Sequence, residues 1–196
     1  EGLEKYIQDH NLQNAGFVGH SMGGTLGLWL AAGLPGLFSV VISVDGLPAM
    51  GAVMFPEYDP DNFSYDAEFN QQTLAMDDTR FAGMANQMAM GMTSSAEKRT
   101  LVAEWITASD RETYVYGYTD LLKLDLREHL GKITTKVVMI AATRPFGKEA
   151  VEQNIQKQFA NLEDYTLIFA EEASHFIMFD QPQWLNEQLM EYLGKK

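Results

Sequence analysis

The order of apolar and polar positions divides the chain into two kinds of segment. Leu3, Tyr6 and Ile7 are spaced for one face of a short helix, which the polar stretch His10–Asn14 ends. A short apolar run at 15–19 enters a glycine-rich knot, and "TLGLWLAAGLPG" after it has helical length and stops at Gly33 and Pro35. "FSVVISV" (38–44) and "KVVMIAA" (136–142) are β-branched runs that predict strands buried on both faces, and "YTLIFA" (165–170) predicts a third. Val151, Ile155 and Phe159 share a helical face between the last two strands. A closing helix from about Pro182 to Leu193 carries Trp184, Leu185, Leu189 and Tyr192, and its entry, Asp180-Gln181-Pro182, suits a capped start with proline in the first turn. Strand and helix alternate, which predicts an α/β fold with a parallel sheet covered on both faces.

Residues 47–130 break that rhythm. They hold Pro/Asp/Asn/Tyr-rich loops near 56–66 and then helical patterns, with no convincing strand. Capping boxes at Ser94-x-x-Glu97 and Ser109-x-x-Glu112 mark two of the helix starts. The segment is expected to be a helical insertion lying over the sheet, within one domain.

Composition narrows the function classes. A formal net charge of −13 opposes nucleic-acid binding, which needs a basic face, and docking on anionic lipid. The chain has no cysteine, so disulfides, thiol catalysis and cysteine-based zinc sites are excluded, although the compartment is left open. No apolar run is long enough for a membrane span, and the first ten residues do not resemble a signal peptide.

The candidate chemistry sits in Gly19-His20-Ser21-Met22-Gly23-Gly24. A Gly-x-Ser-x-Gly between a buried strand and a helix must reverse the chain within a few residues, which strains the serine backbone and exposes its hydroxyl. Gly19 and Gly23 would let strand and helix approach closely. The Met22 amide, at the start of the helix, would point at an oxyanion. Ser21 needs a base. His10 and His129 lie in polar or charged surroundings, and His20 is expected to pack or line a pocket because it points away from its neighbour. His175, in the loop after the last strand, would hang over the same sheet edge as Ser21.

The glycine knot, the helical insertion and Ser174-His175-Phe176 together resemble the α/β-hydrolase family over nearly the whole chain. The resemblance implies Ser21 as nucleophile, His175 as general base and then acid, and no metal or organic cofactor. It departs from the family pattern in two places. The triad acid usually follows the penultimate strand, yet Ala142-Thr143-Arg144-Pro145-Phe146-Gly147 holds no carboxylate there. A minority of the family carries it one strand earlier, where this chain has Asp45. Asp45 is favoured, with Glu149 as the second candidate. Only residues 1–14 precede the first strand, where the family has further strands and a loop giving a second oxyanion amide. The chain therefore reads as the later part of a longer hydrolase, with Glu1 expected to be an artefact of cloning, cleavage or an incomplete gene prediction and the first strand left as an exposed edge.

Seven of the eleven methionines fall between residues 50 and 92, and Phe81, Met84, Met88 and Met92 recur at helical spacing. Such a stripe fastens the insertion to the body. Its flexible side chains also suit Met84 and Met88, beside His20, to line a pocket for a small, moderately apolar ester. Tyr114, Tyr116 and Tyr118 are expected at the pocket mouth or on a helix surface. Acyl transfer, perhydrolysis, carbon–carbon hydrolysis and non-catalytic ligand binding remain open on the same residues.

Overall fold

The computed structural model describes residues 2–194. Helix α1 (Gly2–Asp9) precedes strand β1 (Ala15–His20), helix α2 (Met22–Gly33) and strand β2 (Phe38–Val44). Helices α3 (Met50–Met54), α4 (Glu68–Leu74), α5 (Asp78–Ala89), α6 (Ala96–Ala108) and α7 (Arg111–Lys123) follow. Strand β3 (Lys136–Ala142), helix α8 (Lys148–Gln158), strand β4 (Tyr165–Ala170), the short α9 (Ile177–Asp180) and α10 (Pro182–Leu193) come last among the described residues. The four strands are all parallel in the order β1-β2-β3-β4. β1 is thus an edge strand, and its Val18 side chain is 41% exposed.

The β-branched strands bury both faces because alternate side chains face opposite layers. Val41, Val137, Met139 and Ala141 join Leu28 and Ala31 of α2 and Ile155 and Phe159 around α8 in one core. Val40, Ile42, Val138 and Ile140 join Ile177 and Leu185 of α9 and α10 in the other. Each fully buried side chain of this kind contributes about 1.5–3 kcal/mol relative to leaving it in water. α1 contributes only Ile7, while Tyr6 on the expected face is half exposed.

No strand forms between β2 and β3, and a third apolar cluster holds α5 against α6 through Ala85, Ala89, Val102 and Ala103. Two helix starts fall one residue later than the capping boxes suggest. Ser95 caps α6 by accepting from Lys98 N, and Asp110 caps α7 by accepting from Thr113 N. Ser94 is drawn away to Asp180, and Ser109 donates back to Trp105 O. α10 starts at Pro182 as expected, with Gln181 at its N-cap making no side-chain bond, so the capping bond is missing. No helix is long and apolar enough to cross a membrane among the described residues.

Candidate active site

The chain passes from β1 into α2 through Ser21 alone, whose backbone stands at φ 54°, ψ −124°. A non-glycine residue held there costs on the order of 1–3 kcal/mol, so the surroundings must enforce it. They do so by backbone bonds. Ser21 N donates to Val44 O at 2.9 Å, and Ser21 O accepts from Gly24 N at 2.8 Å and Thr25 N at 3.1 Å. Gly19 lets the turn close, since a Cβ there would lie 2.2 Å from Gly23 O. Gly23 differs from the expectation: a Cβ on it would meet nothing within 4 Å, because its open side faces a cleft. Its backbone, not its missing side chain, makes the close approach. The Met22 and Gly23 amides have no acceptor among the described residues, and the helix dipole adds positive potential there.

Asp45 follows the last residue of β2 with a positive φ of 52°. Its amide donates to Ile140 O at 2.7 Å and its Oδ1 accepts from Ala142 N at 2.9 Å. The carboxylate is thereby anchored to the neighbouring strand, and its other oxygen meets His175 Nδ1 at 2.7 Å. A carboxylate only accepts, so in neutral His175 the proton sits on Nδ1 and Nε2 carries the lone pair. Both side chains are about three-quarters buried, at 24% and 22% exposure. Glu149 lies exposed in the first turn of α8 and makes no bond to His175. The segment after β3 instead buttresses the histidine loop. Arg144 pairs with Glu172 at 2.7 Å, and Glu172 N donates to Thr143 Oγ1 at 2.9 Å.

His20 packs against the same loop. Its Nε2 donates to the His175 carbonyl at 2.9 Å, and its ring centroid lies 4.6 Å from that of His175 and 4.8 Å from that of Phe176. Burial, reinforced by the neighbouring His175, holds His20 below the ordinary imidazole range and keeps it neutral. His10 bonds Tyr6 O on the exposed face of α1, and His129 is exposed before β3.

Ser21 and His175 open into one cleft of about 660 Å³. The Ser21 hydroxyl makes no hydrogen bond, to His175 or to any other described residue. Such contacts are often long without substrate and tighten when it binds. Met22, Gly23 and His20 share the body side of the cleft with Ser21 and His175. Met88, Met92, Val102, Trp105 and Ile106 lie on the opposite, largely apolar side, where Ser109, Asp110 and Thr113 add polar groups around the start of α7. Met84 does not line the cleft. Val102, Trp105 and Ile106, which the sequence reading passed over, share one face of α6 at helical spacing, a signal that was present in the pattern. Tyr114 and Tyr118 also reach the cleft, and their hydroxyls donate to the sulfurs of Met88 at 3.1 Å and Met54 at 3.3 Å. Burial raises both phenols, so they stay protonated. A second hollow of about 570 Å³ reaches Asp45 and His175 from the side of α8. No cluster of three or more His, Asp or Glu suited to a metal ion occurs among the described residues.

Residues 2–188 match the sequence model of a family described as the alpha/beta hydrolase family. No curated protein gives a significant sequence match. Among solved structures, the enol-lactonase from Burkholderia xenovorans LB400 is similar at 15% identity and a TM-score of 0.76, over 99% of this chain and 71% of that one. A hydrolase from Pseudomonas aeruginosa PA01 is similar at 16% identity and 0.78, over 99% and 70%. An esterase from Exiguobacterium antarcticum is similar at 18% identity and 0.74, over 99% and 72%. At these identities the likeness is one of fold.

Proposed function

The chain belongs to the alpha/beta hydrolase family and is a hydrolase of that fold, and from that premise we propose that it cleaves a carboxylic ester of a small, moderately apolar substrate. The observation that carries the reading is the 2.7 Å contact of Asp45 with His175, on a cleft shared with a strained Ser21. Ser21 Oγ attacks the carbonyl carbon while His175 Nε2 takes its proton. The Met22 amide stabilises the oxyanion, and Asp45 holds the ring and favours its protonated form. His175 then protonates the departing alkoxide, leaving an acyl-Ser21. Water attacks that ester, gives its proton to His175, and releases the carboxylic acid with Ser21 restored.

The helical segment 47–130 acts as a lid in this reading. Met88, Met92 and Ile106 receive the acyl group, and Tyr114 and Tyr118 stand where a polar atom of the substrate would displace a weak bond to sulfur. A lactone is a cyclic ester and falls within the same chemistry. Stopped-flow mixing with p-nitrophenyl butyrate is the test. We expect a burst of about one p-nitrophenolate per protein, followed by slower turnover, with the rate reduced by on the order of 10⁴-fold or more in Ser21→Ala. A burst that survives in Ser21→Ala contradicts the reading.

A further inference from the structure

Asp180 ends α9 just before the closing helix, and its carboxylate binds segments other than that helix. Oδ1 accepts from Thr93 Oγ1 at 2.6 Å, Ser94 N at 2.9 Å and Ser94 Oγ at 2.9 Å. Oδ2 accepts from Ser174 N at 2.8 Å, the amide immediately before His175. One carboxylate therefore joins the turn between α5 and α6 to the loop that carries the imidazole. Beside it, Phe176 N donates to Met92 O at 2.8 Å, a second link between the same two segments. Both segments reach the cleft, one through Met92 and the other through His175 and Phe176.

The junction is shielded on one side only. Thr93 is 1% exposed and Ser174 6%, whereas Asp180 is half-buried and Ser94 is exposed. Arg99 Nε clamps the far side of the turn by donating to Thr93 O at 2.8 Å. The Phe176 ring stacks on Phe179 with 5.3 Å between centroids and a 7° tilt. Burial alone would push Asp180 up, but the bonds from Thr93, Ser174 and Ser94 together outweigh it and keep the carboxyl below its ordinary range. It is the ionised form that accepts on both oxygens.

We propose that Asp180 is a positioning residue that fastens the His175 loop to the Met92–Ser94 turn, so that the apolar wall of the cleft and the proton-transferring imidazole move as one body. The inference rests on the serine-hydrolase reading above. It makes the seating of an acyl group against Met92 and the placing of His175 a single event, because neither segment shifts without breaking charge-assisted bonds to one carboxylate. A displacement of about 1 Å at such a centre costs on the order of 100-fold in rate.

Asp180→Asn tests this with little change of shape. An amide accepts on one oxygen only, so whichever way it turns, the N–H of Ser94 or of Ser174 faces an NH2 group. Measured on p-nitrophenyl butyrate and normalised to the burst, kcat should fall about 10- to 100-fold with KM within about threefold. The double variant Thr93→Val, Ser94→Ala leaves Asp180 and its bond to Ser174 intact and should lower kcat about 3- to 10-fold. Amide exchange gives a readout independent of turnover: in Asp180→Asn, protection should fall in residues 92–94 and 174–176 together. A kcat per titrated site within about twofold of the parent in both variants, or loss of protection in only one of the two segments, overturns the inference. If the parent protein shows no Ser21-dependent burst, the serine-hydrolase reading fails, and the exchange experiment still decides whether Asp180 couples the two segments.

Discussion

The two sides of the cleft are built by different physics. On the sheet side, Ser21, Asp45 and His175 are placed by backbone. Positive φ angles at Ser21 and Asp45, a glycine at 19, and amide bonds of 2.7–2.9 Å from the ends of β2 and β3 leave these groups little freedom. On the helical side, Met88, Met92, Trp105 and Ile106 offer surface without fixed direction, and the tyrosine hydroxyls spend their bonds on sulfur, a weak acceptor. Methionine has three rotatable bonds and fills irregular space at low cost. Exactitude is thus confined to where a proton would move, and adaptability to where a substrate chain would lie. The Asp180 junction is the seam between them.

Substitutions break or sharpen this contrast. The largest effect belongs to Asp45→Asn, which should cut kcat by on the order of 10³- to 10⁴-fold through the wrong histidine tautomer, with KM little changed. Glu149→Gln should stay within about twofold in the same steady-state assay, being an exposed helix residue. Equal losses in the two variants would remove Asp45 from its special place. Next comes Gly19→Ala, whose new Cβ would press on Gly23 O. It should cost about 1–3 kcal/mol, seen as a lower melting temperature. Gly23→Ala meets open cleft and should leave the melting temperature within a few degrees while slowing turnover of bulky esters. The smallest effect is expected on the adaptable side. Met88→Ala should keep kcat for the best substrate within a few fold and move the preferred acyl chain to greater length, with discrimination of about tenfold per methylene in a chain-length series.

The elements that the sheet requires were legible in the sequence. Residues 38–44, 136–142 and 165–170 form strands over those same positions; the first two are β-branched runs buried on both faces, which have few alternatives, and the third is half-buried along most of its length. The serine turn was legible for a similar reason, since local backbone chemistry makes it. Groups defined by distant partners were less so. The family resemblance favours Asp45 over Glu149, with nothing local to weigh the two; the parallel register sets the end of β2 beside the end of β3 and brings Asp45 Oδ1 to Ala142 N and Oδ2 to His175. The capping boxes put the helix starts at Ser94 and Ser109, but Ser94 answers to Asp180, far along the chain. Of the apolar stripe along α5, Phe81 is buried as expected, but Ala85 and Ala89 take the buried places instead of Met84 and Met88. Phe81, Ala85 and Ala89 form its buried face, because small alanines let α6 approach and leave the longer methionines at the flanks.

The central claim is that Ser21 is an activated nucleophile served by His175 and Asp45. Reaction with a fluorophosphonate tests it most directly, because the serine oxygen must displace fluoride from phosphorus before any substrate preference enters. Peptide mass spectrometry should find the phosphonyl group on Ser21, none on Ser21→Ala, and labelling of Asp45→Asn slowed by at least about 100-fold. Labelling at another residue, or equal rates in the parent protein and Asp45→Asn, would contradict the account.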